Sequence, residues 1–224
     1  MARNLPRTLT GGLFVSFEGG EGSGKSTLLA SLAAFLESEG FSVLVTREPG
    51  GPPIAEAIRR ILLDPSHAGM DPLTELFLYL ASRRQNLEER IRPHLEAGGI
   101  VLCDRFSDAS VAYQGGGRGL GLDRVERLNT EAIGDARPDL TFLLDLAPEA
   151  GLARKLGTGA AAAPGDRLER EALDFHRRVR DAYGQWAMRH PDRFRVLDAA
   201  LPPDALAAAA RDALREALAT REAE

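Results

Sequence analysis

Gly19-Gly20-Glu21-Gly22-Ser23-Gly24-Lys25-Ser26 spells Gly-x-x-x-x-Gly-Lys-Ser, the pattern of a phosphate-binding loop. Of the 28 basic residues in the chain only Lys25 and Lys155 are lysine; all the others are arginine. A composition that avoids lysine so consistently marks Lys25 as a residue its site requires. A compact ammonium on a flexible stem reaches β- and γ-phosphate oxygens where a planar guanidinium does not fit. Ser26 adds a hydroxyl suited to Mg²⁺. The chemistry this predicts is the binding of a nucleoside triphosphate.

Such a loop works only between a strand and a helix. Leu13-Phe14-Val15-Ser16-Phe17 is a short apolar run that reads as a buried strand, and Leu28, Leu29, Leu32, Ala33 and Leu36 recur at helical spacing behind the loop. The new helix points its positive end at the bound phosphates, and the loop N–H groups wrap them. Further strand-like runs fall at 41–46, 100–104, 140–146 and 194–198, with helical patterns between them, including about 53–63, 71–97 and 203–220. This alternation predicts an α/β fold with a five-stranded parallel sheet flanked by helices. Ligands collect at the carboxyl ends of such strands. Glu18, Arg47, Asp104 and Asp145 are therefore expected on one rim with the phosphate loop.

At 224 residues, 44% hydrophobic and 27% charged, the chain reads as one soluble globular domain. A net charge of −5 argues against a nucleic-acid-binding surface. No stretch is apolar enough to span a membrane, and the first dozen residues lack the hydrophobic core of a secretory signal; the cytoplasm is the expected compartment. The single cysteine, Cys103, excludes an internal disulfide and reads as core. Residues 157–165, rich in glycine and alanine and flanked by Arg154 and Arg167, suggest a mobile lid over about 154–168 that closes over phosphates.

Asp104-Arg105 follows an apolar strand. The aspartate is placed to support Mg²⁺, and the arginine could bind a second phosphate. Tyr113-Gln114 then precedes Gly115-Gly116-Gly117. Three successive glycines imply either an exposed turn or a ligand approaching the backbone closely. Tyr113 and Gln114 offer a ring and an amide edge to a nucleobase.

Taken together these stretches resemble the bacterial thymidylate kinase family over nearly the whole chain. The matching segments are Phe17-Glu18-Gly19-Gly20-Glu21-Gly22-Ser23-Gly24-Lys25-Ser26-Thr27 and Thr46-Arg47-Glu48-Pro49-Gly50-Gly51. They continue with Asp104-Arg105, Ala112 through Gly119, Arg137-Pro138-Asp139-Leu140-Thr141 and Asp166-Arg167-Leu168-Glu169. The resemblance implies transfer of the ATP γ-phosphoryl group to dTMP, giving dTDP, with Mg²⁺ and in a homodimer. It implies that Gly19 through Thr27 hold the ATP phosphates, with Ser26 and Asp104 at the metal. Arg105 would clamp the dTMP phosphate and Glu21 would meet the acceptor deoxyribose. Arg47 falls in the substrate-binding set. Arg83 would read the thymine edge, Tyr79 would stack on the base, and Tyr113 would pack near the sugar and disfavour a 2′-hydroxyl. Ser110 and Gln114 would contact thymine.

This chain departs from the family pattern in two ways. Tyr79 stands where the family usually has phenylalanine. Ser23 occupies a loop position where some members carry an arginine, and the lid has a Gly/Ala stretch where others carry several. That leaves Arg154 and Arg167 as candidates to neutralise the transferred phosphoryl group. The rival readings are a kinase for another nucleotide, an ATP-dependent assembly protein and a GTPase switch. The last needs a guanine-reading Asn-Lys-x-Asp segment, and neither Lys25 nor Lys155 lies in one.

Overall fold

The computed structural model of the protein describes residues 6–157 and 166–222. In chain order, β1 (Leu13–Gly19) leads to α1 (Lys25–Ser38), β2 (Val43–Arg47), α2 (Pro53–Leu63), α3 (Pro72–Asn86) and α4 (Arg92–Glu96). Then come β3 (Ile100–Asp104), α5 (Ser107–Ser110), α6 (Leu122–Ile133), β4 (Leu140–Asp145), α7 (Pro148–Gly157), α8 (Leu173–Arg189), β5 (Phe194–Asp198) and α9 (Pro203–Glu222). The expected lid lies, at 158–165, outside the described residues.

The five strands form one sheet in the order β2-β3-β1-β4-β5, and every pair is parallel. The expected sheet is thus the observed one. β1 is central and buried along its whole length, which is why it reads as a continuous apolar run. Alternate strand residues serve opposite faces. Val15, Phe17, Leu102 and Phe142 pack with Leu28, Leu32 and Leu36 of α1 and Leu206, Ala210 and Leu214 of α9. Phe14, Val101 and Cys103 pack on the other face with Leu87, Ile91 and Phe106. Registers pair both Phe17 and Arg47 with Asp104, so the strands end level where the site is built.

The long helical pattern at 71–97 is three joined pieces. Asp71 caps α3, its carboxylate accepting from the N–H groups of Leu73 and Thr74 at 2.9 and 3.1 Å. Between α3 and α4 the chain widens into a π-helical turn, Leu87–Ile91, just before Pro93. Proline brings no N–H and its ring crowds the preceding turn, so the helix takes in an extra residue there.

The glycine triplet differs from both expectations. It is neither an exposed turn nor a backbone opened for a ligand. α5 continues as a second π-helical turn, Val111–Gly117, whose Gly116 and Gly117 pack against α8 while Gly115 packs against Gly121 and Leu122. A Cβ on Gly116 would stand 2.4 Å from the Cβ of Ala182, and one on Gly117 2.6 Å from the ring of Phe175. Close approach of two helices demands the glycines. Among the described residues no helix is long and apolar enough to cross a membrane.

Candidate active site

The phosphate loop connects β1 to α1 as the spacing requires. Gly24 caps α1 with φ 93°, a left-handed conformation open to glycine, and no side chain caps the helix. The first N–H groups of α1 are thereby left for a ligand. Ser23 Oγ closes the loop by donating to the Gly20 carbonyl at 2.9 Å. Lys25 Nζ lies back along the loop and donates to the carbonyls of Gly19 and Gly20 at 3.1 and 2.8 Å. Burial, and then the neighbouring Arg105 guanidinium, push Lys25 down to about 8 against the opposing pull of Glu21, Asp104 and Glu18.

Asp104 ends β3 beside this loop. Its Oδ2 accepts from Ser26 Oγ at 3.3 Å, while its Oδ1 is buried with no hydrogen-bond partner. An orphaned buried carboxylate oxygen beside a loop hydroxyl fits a hard cation. Among the described residues no group of three or more His, Cys, Asp or Glu gathers as a metal cage. One hydroxyl and one carboxylate fit Mg²⁺, which keeps waters and takes phosphate oxygens beside one or two protein ligands.

Arg105 follows with φ 70°, the only non-glycine residue at positive φ among those described. Its Nη1 donates to the Gly19 carbonyl at 2.8 Å, its Nη2 to Glu21 Oε1 at 2.7 Å, and its guanidinium lies 4.9 Å from the centre of the Tyr113 ring. Burial acts to raise Glu21, but Arg105, Lys25 and Lys155 pull it down to about 2. A carboxylate inside an anion-binding loop is therefore held ionised by cations on three sides.

These groups open into one cleft of about 1060 Å³. It is lined by the loop from Glu21 to Thr27 and by Arg47, Tyr79, Arg83, Asp104, Arg105, Ser110, Tyr113, Gln114 and Arg154. Most of the residues expected from sequence therefore converge on one surface. Arg83 is buried and donates to Glu48 Oε2 at 2.7 Å, Asn129 Oδ1 at 2.7 Å and the Phe106 carbonyl at 3.0 Å. Those bonds use three of its five N–H donors. The hydroxyls of Ser110 and Tyr113 are buried without hydrogen-bond partners. Gln114 Nε2 donates to Glu75 at 2.7 Å, which fixes its amide. Arg47 meets Glu56 at 3.1 Å, and Arg154 Nη1 donates to the Ala199 carbonyl at 2.9 Å.

Three expected residues lie elsewhere. Arg167 is not on the cleft wall; it is buried, with Nη1 on Glu75 at 2.6 Å and Nε on the Leu62 carbonyl at 2.9 Å. Asp145 ends β4 on the expected rim but holds Arg180 at 2.7 and 2.9 Å and does not line the cleft. Glu18 is wholly buried behind the loop, because alternation turns its side chain from the rim into the core. Sequence reasoning missed Lys155 and the segment Ala200–Pro203, which also line the cleft. The scarcity of lysine pointed to Lys155 as much as to Lys25. The rule that sites gather at strand ends pointed to the residues after β5.

A parallel sheet in this strand order, with a phosphate loop at its central strand and Arg105 across one cleft from it, defines a phosphate-loop nucleoside-monophosphate kinase fold. Known proteins narrow the class. The family model described as thymidylate kinase matches residues 17–210. A thymidylate kinase of Thermomicrobium roseum is 52% identical over 194 residues, 87% of this chain and 90% of the relative. One of Solidesulfovibrio magneticus is 50% identical over 200 residues, 88% and 96% of the two chains. The crystal structure of thymidylate kinase from Ehrlichia chaffeensis superposes with a TM-score of 0.72 at 32% identity, covering 91% of this chain and 98% of that one. The chain belongs to the thymidylate kinase family, and phosphoryl transfer to dTMP is its activity.

Proposed function

We propose that the cleft carries out this transfer with the residues it gathers. ATP lies with its phosphates on Gly19 through Thr27, and dTMP lies with its phosphate at Arg105. An acceptor phosphate oxygen attacks the γ-phosphorus, a new O–P bond forms, and the bond to the β-phosphate oxygen breaks in line to release ADP. No covalent enzyme intermediate is required. Lys25 neutralises the β- and γ-oxygens, and Arg105 draws charge from the acceptor so that two anions meet. Ser26 and Asp104 would hold Mg²⁺, which supplies further charge neutralisation when bound. Among the cations of the cleft, Arg154 and Lys155 on the last turn of α7 are the candidates for the transferred group, Lys155 standing 3.8 Å from Glu21.

Tyr79 and Arg83, one turn apart on α3, receive the thymine, with Ser110 and Gln114 at its edge and Tyr113 against the sugar. The observation that carries this reading is the joining of the phosphate loop and Arg105 to an aromatic, arginine-lined pocket in one cleft. The chain works as a single kinase domain and as a homodimer. α2 supports the dimer, since it buries Ala55 and Leu62 while Ile54 and Ile61 stay exposed on another face.

A coupled ADP-release assay with ATP and Mg²⁺ tests the reading, comparing dTMP, dUMP, the thymine ribonucleotide, dCMP, dGMP, AMP and thymidine. Strong preference for dTMP is expected. Equal turnover of another nucleotide would remove the base assignments, and ADP release independent of acceptor would remove the kinase mechanism.

A further inference from the structure

Arg105 is held in a conformation that a side chain with a Cβ adopts only when its surroundings impose it. A bulky residue at positive φ is strained, and such strain gathers at functional sites. The residues that impose it are identifiable. The Arg105 N–H donates to the Phe17 carbonyl at 3.0 Å, which fixes the backbone before the turn. The next N–H, of Phe106, donates to Glu18 Oε1 at 2.7 Å, which fixes the backbone after it. The second Glu18 oxygen accepts the hydroxyl of Tyr183 on α8, also at 2.7 Å. That hydroxyl in turn accepts from Arg105 Nη1 at 3.4 Å. Glu18 therefore touches Arg105 twice at one remove, through its backbone and through the tip of its side chain. Neither Glu18 nor Tyr183 lines the cleft, and both are buried.

We infer that Glu18 and Tyr183 are positioning residues that aim the Arg105 guanidinium at the acceptor phosphate. Neither touches substrate. The inference rests on the reading of Arg105 as the dTMP phosphate clamp. Its chemistry is that of a doubly bonded carboxyl group, which burial and then the charge of Asp108 raise to about 8. One oxygen pins the strand-to-helix turn, and the other orients a phenol whose lone pair receives the guanidinium. The ring of Tyr183 stays in place without its hydroxyl, packed at a centroid distance of 6.2 Å from Tyr113. The phenol oxygen can accordingly be removed with little loss of packing.

The experiment is steady-state kinetics on the full chain with Tyr183→Phe, Glu18→Gln and Arg105→Lys, each melted with and without dTMP. Tyr183→Phe is expected to raise the KM for dTMP about 5- to 10-fold with the KM for ATP unchanged, the range of one ordinary hydrogen bond. Glu18→Gln is expected to do the same more strongly, and combining Tyr183→Phe with Arg105→Lys should add little to Arg105→Lys alone. A purely structural role would lower the melting temperature and leave the two KM values in proportion. If Arg105→Lys leaves the dTMP KM unchanged, the clamp reading itself falls and takes this inference with it. If Arg105→Lys raises it while Tyr183→Phe leaves it within twofold, the clamp stands and the positioning role is overturned. Should Glu18→Gln fail to fold, Tyr183→Phe alone decides.

Discussion

At the scale of single residues, the site is a cluster of charges whose states depend on each other. Lys25 is the clearest case. Its ammonium is buried among Arg105, Glu21, Asp104 and Glu18, and is pushed down to about 8. The folded value is depressed, so between about 8 and the ordinary lysine value the folded chain holds fewer protons than the unfolded one. Two consequences follow. Stability linked to this group rises with pH across that window, and ATP, which binds the ammonium form, loses kcat/KM as pH climbs above about 8. Measuring kcat/KM for ATP from pH 6 to 10 with dTMP saturating should show this decline. A flat profile through pH 10 would mean that Lys25 keeps an ordinary ammonium. Replacement makes a blunter test. Lys25→Ala should fold and melt normally yet lose at least about 100-fold in turnover, the scale of removing a group that stabilises transition-state charge. Near-full activity in that variant would discard the mechanism.

At the scale of elements, the turn Val111–Gly117 carries Tyr113 and Gln114 into the cleft and lays Gly116 and Gly117 on α8. Its position is fixed from outside by helix packing. Gly116→Ala would force a methyl to within 2.4 Å of the Ala182 Cβ, a rigid neighbour with no flexible end to swing away. The two helices must separate, at a cost of about 1–3 kcal/mol. A lowered melting temperature together with a raised dTMP KM and an unmoved ATP KM is the expected outcome, read by thermal melts and initial rates. The same turn shows where sequence reading stopped. The phosphate loop was legible, because a local backbone pattern and one lysine define it without help from the rest of the chain. The sheet was legible too, because buried parallel strands are apolar along their length. The glycines are visible in the sequence, but the reason for Gly116 and Gly117 is a contact with residues about 60 positions away, which no local pattern reports. The place of Arg167 is hidden from the sequence for a similar reason. Its partner, Glu75, lies on α3, and that carboxylate also collects Gln114 and Arg118. Glu18 reads as a rim residue because it follows the apolar run at its carboxyl end, whereas β1 continues to Gly19 and alternation sends the Glu18 side chain inward.

At the scale of the molecule, α3 faces two ways. Its inner face brings Tyr79 and Arg83 to the cleft, with Leu76 and Leu80 in the core. Its outer face exposes Phe77 by about half, beside α2 with Ile54 and Ile61 exposed at 58% and 44%. Isolated surface hydrophobes are ordinary, but an isoleucine stripe at i, i+7 on a helix packed beside an exposed phenylalanine is the pattern of a contact surface, which supports the proposed dimer. A second copy of the chain in two-fold symmetry would cover this face and press on the back of the helix that carries the base pocket. In such an interface each substitution counts twice, once per copy. Phe77→Glu would then place two uncompensated carboxylates in a buried contact, and the variant should sediment as a monomer where the parent chain sediments as a dimer. Released from that support, α3 should hold Tyr79 and Arg83 less firmly, so the KM for dTMP should rise while the phosphate loop, carried by β1 and α1, keeps its KM for ATP. A parent chain that sediments as a monomer at micromolar concentration would remove the dimer. A monomeric variant with both KM values unchanged would keep the dimer and cut its link to the base pocket.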